Sequence, residues 1–171
     1  IFPLLARDVY GGGALEIALF TSFFFGGIGA SSFILTRLPE IKRQGRAIML
    51  AMCMGSVTMT LVHFQPPLWL VLALVLIWGM SAGVSMSTAR AIVQARAPES
   101  HRGRMLAAFQ VAMMGGGPIG SLLAGYVASK LGLFDAILVP PAFMVVLWLG
   151  VFFFTDLWKA DVRSVVPQPA D

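Results

Sequence analysis

The sequence predicts an all-α integral membrane protein, five transmembrane helices preceded by the end of a sixth, and three observations carry that expectation. The 171 residues are 58% hydrophobic and 12% charged, against about 45–50% and about 25% in an average soluble domain. The apolar residues fall into five blocks long enough to approach or exceed the ~20 residues that a bilayer core about 30 Å thick requires. Finally, the charges lie between the blocks or at their ends and alternate in density from one interval to the next.

The first thirteen residues, IFPLLARDVYGGG, begin inside an apolar run without an initiator Met. They lack the basic lead and small-residue cleavage site of a signal peptide, and we read them as the end of an earlier helix in a longer protein. The first full span is expected at about residues 14–36. Its midsection, Gly26, Gly27, Gly29, Ala30 and Ser31 beside Phe23 to Phe25, suits a close helix contact, because small residues let backbones approach in lipid, where the hydrophobic effect does not drive helices together. Glu16 near its start is either a carboxylate for substrate or protons or a group resting at headgroup level, where a charge costs little.

The second span, about 47–62, is short and contains the single cysteine, Cys53. One thiol builds neither a disulfide framework nor a metal site. The third, about 68–86, has a small row, Gly79, Gly83 and Ser87, and a separate face on which Trp78, Ser81, Ala82 and Ser85 meet at helical spacing. An aromatic with hydroxyls and no charge suits a cavity for an amphipathic molecule. The alternative is a packed Trp78 beside serines bonded to carbonyls four residues back.

The fourth span, about 105–131, carries two small-residue rows at four-residue spacing, Gly116, Gly120, Ala124, Ala128 and Gly117, Ser121, Gly125, Ser129. That face calls for partner helices. Pro118 within it, and Pro140 and Pro141 within the fifth span at about 136–154, each remove a backbone donor, so their kinks are expected to face protein or a cavity rather than lipid. Trp69, Trp148 and Trp158 fit interfacial anchoring. Residues 1–159 are thus read as one transmembrane bundle and residues 160–171, polar and Pro-containing, as a disordered cytoplasmic tail.

Ten of the 12 Lys and Arg lie in the intervals after the first, third and fifth spans, and only Arg7 and Lys130 lie on the other side. By the positive-inside rule those three intervals are cytoplasmic, which places Glu99 and the C-terminus inside the cell and Gln65 outside it. Arg90, Gln94, Pro98 and Arg102 are spaced by four, and Arg102 and Arg104 open a helix, where cations oppose the helix dipole. They serve topology and anionic headgroups, or pair with carboxylates and helix ends across a cytoplasmic gate. His63 and His101 stand on opposite sides and share no metal. No cofactor or nucleotide motif occurs, and neither a cofactor nor a nucleic-acid partner is expected.

The run R-x3-Q-x3-P-x3-R-G-R from Arg90 to Arg104, followed by GGGPIGSLLAG, closely resembles the segment joining the tenth and eleventh helices of major facilitator superfamily transporters. The nearest branch is that of bacterial drug and siderophore efflux permeases, the enterobactin exporter and its relatives. The resemblance covers the whole chain and implies helices eight to twelve of a two-half transporter rocking about a midplane site, with the third span, as helix ten, beside the cavity. It also implies a partner, the missing N-terminal half, and a small-molecule substrate exported in exchange for protons. In TRLPEIKRQGR, residues 36–46, Gly45 and Arg46 match the family's loop signature while its Asp is missing, with Glu40 nearby. The competing expectation is a non-transporting membrane subunit or scaffold. An enzyme is not expected, since no span offers a buried nucleophile, base or metal cluster.

Overall fold

The computed structural model describes residues 12–37 and 43–154, and among these every regular element is an α-helix. Arg7, Glu40, Lys42, Trp158, Lys159, Arg163 and the tail at 160–171 lie outside the described residues, as does the side chain of Trp148. Five helices follow in order: α1 Ala14–Arg37, α2 Gln44–His63, α3 Leu68–Arg96, α4 Arg102–Leu131 and α5 Leu133–Phe154. Ala14–Arg37, Gln44–His63, Leu68–Arg96 and Arg102–Lys130 are each long and apolar enough to cross a membrane, and α5 adds 22 residues.

The largest departure from the apolar blocks is α3, which runs on from Met86 to Arg96 and totals 29 residues. At 1.5 Å per residue it is about 43 Å long, so its polar last turns project beyond a ~30 Å hydrocarbon core without leaving the helix. Hydropathy marks where lipid ends, whereas the helix ends where its hydrogen bonds do. The stop comes from Pro98, which disfavours helical backbone in the residue before it; Ala97 is extended, with φ −74° and ψ 126°. Arg90 and Gln94 therefore belong to α3 and Arg102 to α4, so the four-residue spacing does not form one continuous face.

Connections are short. Residues 64–67 join α2 to α3, with Gln65 at φ 52°. Gly132, at φ 89°, alone separates α4 from α5, a backbone conformation that glycine adopts without steric cost. The helices consequently alternate in direction, and α1 and α3 run parallel with α2 antiparallel to both.

The tightest packing joins α1 and α3. A Cβ at Gly79 would overlap the carbonyl oxygen of Phe24 and lie 3.0 Å from its carbonyl carbon, and one at Gly27 would overlap the carbonyl of Leu76 and lie 2.9 Å from the Met80 nitrogen. At Gly83 it would strike the Ser31 hydroxyl and lie 3.0 Å from the Ile28 carbonyl. Two backbones thus touch through Gly27 and Ser31 on one helix and Gly79 and Gly83 on the other, a small-xxx-small pair on each. Gly26 and Gly29 face open space. Nearer the end opposite the basic loops, Phe20, Val62, Val71, Leu74 and Val75 form a buried cluster that knits α1, α2 and α3 together.

The long row of small residues in α4 behaves differently. A Cβ placed at Gly116, Gly117, Gly120 or Gly125 meets nothing within 4 Å, Pro118 is exposed, and no residue of the apolar stretch of α4 is buried. Ser121 turns its hydroxyl back onto the Gly117 carbonyl at 2.9 Å. Among the described residues, then, the expected close neighbour of this face is not present.

Candidate functional site

A cavity of ≈ 280 Å³ lies midway along the bundle, between α2, α3 and α5. Its α3 wall is the face singled out above, Trp78, Ser81, Ala82 and Ser85, extended by Met86. Helical spacing in the sequence marks this wall and not the other two. From α2 come Met52, Gly55, Ser56 and Met59, whose spacing of three, four and seven puts them on one helix face, a signal that could have been read in advance. From α5 come Pro140, Pro141 and Met144, so both prolines of that helix border internal space.

The three α3 residues differ in what they can offer. Trp78 is half-buried with its ring centroid 4.8 Å from that of Phe24, tilted by 51°. Gly55 makes room for the indole, since a Cβ there would lie 3.3 Å from Trp78 Cδ1. Ser81 is buried and donates to the Ile77 carbonyl at 2.9 Å, the back-bonding that satisfies hydroxyls in membrane helices. Ser56 does the same to the Met52 carbonyl at 3.0 Å. Ser85 is half-buried, lines the cavity and has no hydrogen-bond partner for its hydroxyl among the described residues. Trp78 is therefore both a packing and a lining residue, Ser81 is satisfied by its own helix, and Ser85 is the lining serine whose hydroxyl has no protein partner among the described residues.

The basic candidates gather elsewhere, at the end of the bundle reached by the loops after α1 and α3. Arg46 is half-buried in the first turn of α2, whereas Arg90, Gln94, Arg102 and Arg104 are exposed. No acidic residue lies in the first turn of α4, so nothing in that turn offsets the dipole against Arg102 and Arg104. Arg37 at the same end places its guanidinium 5.0 Å from the Phe33 ring centroid. Glu16 stands at the opposite end, half-buried in the first turn of α1 with its side chain folded against Gly12, where a carboxylate is favoured by the helix dipole. The structure thus assembles Trp78, Ser81 and Ser85 into one cavity and keeps both the arginines and Glu16 away from it.

The Major Facilitator Superfamily matches the chain over residues 1–169. The multidrug efflux pump Tap of Mycolicibacterium fortuitum is 33% identical over 120 residues, which are 70% of this chain and 29% of that protein. The chain thus spans less than a third of the curated relative it matches. No solved structure matches it.

Proposed function

Because the chain belongs to the major facilitator superfamily, we propose that it supplies helices eight to twelve of a secondary transporter that exports a small amphipathic molecule, of drug or siderophore class, in exchange for protons. The observation that carries export is the 33% identity to a protein named as a multidrug efflux pump. Support for an amphipathic substrate comes from the cavity, where an indole and methionines surround a hydroxyl with no charged side chain in the lining. The partner is the remainder of the same protein, and the uncovered Gly116, Gly117, Gly120 and Gly125 face of α4 is assigned to it, since two-half transporters close around a midplane site only when both halves are present.

In inside-out vesicles containing the full-length protein, an amphipathic dye should accumulate when the lumen is acidic and stop accumulating when a protonophore collapses the gradient. Accumulation untouched by the protonophore would remove proton exchange, and none above vesicles lacking the protein would remove export.

The orientation we propose puts the arginine-rich end in the cytoplasm. In a cysteine-free full-length background, a cysteine at Phe64 should react with an impermeant maleimide in intact cells and one at Glu99 only after lysis. Phe64 is 74% exposed and is preferred to its neighbour Gln65, whose φ of 52° strains most side chains. Labelling of position 99 in intact cells would invert the topology.

A further inference from the structure

Most hydroxyls in these helices bond a carbonyl three or four residues back, as Thr58 does to Gly55 at 2.8 Å and Ser81 to Ile77 at 2.9 Å. Ser85 and Thr88 on α3 depart from this, since neither hydroxyl has a hydrogen-bond partner among the described residues. Thr88 is 5% exposed. Gln44, in the first turn of α2, is 8% exposed, and its side-chain amide has no partner among the described residues either. Thr88 and Gln44 are enclosed by this bundle itself, so a helix docking from outside has no access to them and does not supply the missing bonds. A buried polar group without a partner is costly in any protein and most of all in a membrane, where hydrocarbon offers no substitute.

These side chains lie along one seam. Ser81, Ser85 and Thr88, spaced by four and three, share a face of α3, and Gly55, Ala51, Ile48 and Gln44, spaced by four, three and four, share a face of α2. The two faces meet, because a Cβ at Gly55 would lie 3.8 Å from the Cβ of Ser81. The helices are antiparallel, so from that contact both faces run toward the arginine-rich end. At 1.5 Å per residue Thr88 is about 10 Å and Gln44 about 16 Å beyond it. Side chains tilt toward the N-terminus of their own helix, which inclines Thr88 back toward Ser85 and Gln44 outward toward the end of the bundle.

The seam has a wet end and an inner end. Thr88 stands about 30 Å along α3 from Leu68, the distance at which a ~30 Å hydrocarbon core gives way to water. Ser85 borders the cavity between α2, α3 and α5. A polar track about two turns long therefore connects bulk water with that cavity. A buried water typically makes about three hydrogen bonds to groups that would otherwise go unpaired, and Gln44, Thr88 and Ser85 present an amide and two hydroxyls at successive levels of the track.

We propose that the α2–α3 seam holds ordered water bridging Gln44, Thr88 and Ser85, so that the cavity is hydrated from the arginine-rich end along a path inside this bundle. Water displaced from the cavity then has an exit that requires no separation of α2 from α3. The path goes beyond the export reading and does not depend on it.

Silver ion is small and hydrated and reaches thiols along water paths too narrow for larger reagents. The test uses full-length protein freed of its other cysteines, Cys53 included, and reconstituted in lipid nanodiscs. Thr88→Cys should be capped by silver about tenfold faster than Thr58→Cys, because water rather than packed side chains lies beside it. The comparison is fair, since Thr58 is also 5% exposed but is bonded to the Gly55 carbonyl. Thiols left uncapped are counted by maleimide labelling after denaturation and mass spectrometry. Adding Gln44→Leu, an apolar side chain at the outer end, should slow capping at position 88 several-fold. Thr88→Val keeps the shape and removes the hydroxyl; with water bridging that hydroxyl the melting temperature should fall by about 1–2 °C, whereas a dry, unpaired hydroxyl would make the same change raise it. Capping at position 88 no faster than at position 58, or a higher melting temperature for Thr88→Val, would overturn the inference, and a rate indifferent to Gln44→Leu would overturn entry from the arginine-rich end.

Discussion

Gly79→Leu is expected to eliminate most of the assembled protein from the membrane, while Gly29→Leu leaves its amount and melting temperature near those of the parent. Both changes replace glycine by leucine inside a helix, which on propensity alone should help by somewhat less than the ~0.8–1 kcal/mol that separates glycine from alanine. Environment decides the sign. At Gly29 a Cβ meets nothing within 4 Å, but at Gly79 it enters the carbonyl of Phe24 and comes within 3.1 Å of the Phe24 Cα. Backbone cannot swing aside as a side chain can, so α1 and α3 must separate and lose the dispersion contacts that hold helices together in lipid. Overpacking typically costs about 1–3 kcal/mol, and a whole isobutyl group against main chain lies at or above the top of that range, well beyond the propensity gain. Gly27→Leu should match Gly79→Leu because it attacks the same contact from the other side. Size-exclusion profiles and thermal melts of Gly79→Leu and Gly29→Leu in the 171-residue chain decide the matter, and parental behaviour of Gly79→Leu would show that the contact is absent. Gly117→Leu and Gly120→Leu should disrupt the full-length protein if its remainder covers α4, and should be neutral in the 171-residue chain.

Trp78→Ala should lower the amount of folded protein and also change which compounds are exported, and the two effects are separable. Removing the indole deletes the contact with Phe24 at 4.8 Å and enlarges the cavity. Large-to-small changes at buried Trp cost about 3–5 kcal/mol, and a half-buried Trp78 belongs toward the lower part of that range. Trp78→Phe keeps a ring against Phe24, so abundance should recover while the ranking of exported compounds stays altered. Ser85→Ala should change the ranking at parental abundance, since that hydroxyl has no protein partner among the described residues. Ser81→Ala should change neither much, its hydroxyl being bonded to Ile77. If export of a panel of compounds keeps one ranking in Trp78→Phe and Ser85→Ala, the face is structural and the cavity holds no substrate.

How far the molecule was legible in advance depends on whether a feature is a property of one helix or of two. Long apolar stretches and the aromatic-hydroxyl face of α3 are properties of one helix, and periodicity suffices to see them. Choosing among Gly26, Gly27 and Gly29 requires knowing the angle at which α3 approaches, and only Gly27 turns out to face it. The row in α4 is longer and more regular than the pair Gly79 and Gly83, yet it is the shorter one that is packed. Spacing reports a capacity for close approach and is silent about what approaches. The α2 wall escaped notice because methionines at one-face spacing read as ordinary core until α3 and α5 are set around them. Arg90, Gln94 and Arg102 keep a four-residue spacing, and Pro98 divides them between two helices.

The contact between Gly27 and the Leu76–Met80 turn also has a history, because a ribosome makes one side of it before the other. At about 5–20 residues per second, the stretch of roughly fifty residues from Gly27 to Leu76 takes on the order of 3–10 s to synthesise. During that interval α1 is already a helix and its partner does not exist, so the glycine face that ends buried against α3 first has lipid or an insertion factor as its neighbour. The sequential neighbour α2 arrives first, but the atoms nearest Gly27 in the finished bundle all belong to α3. Assembly of this bundle is therefore a waiting problem, and anything that lengthens the wait, such as slow codons between α2 and α3, should reduce yield without altering a single residue.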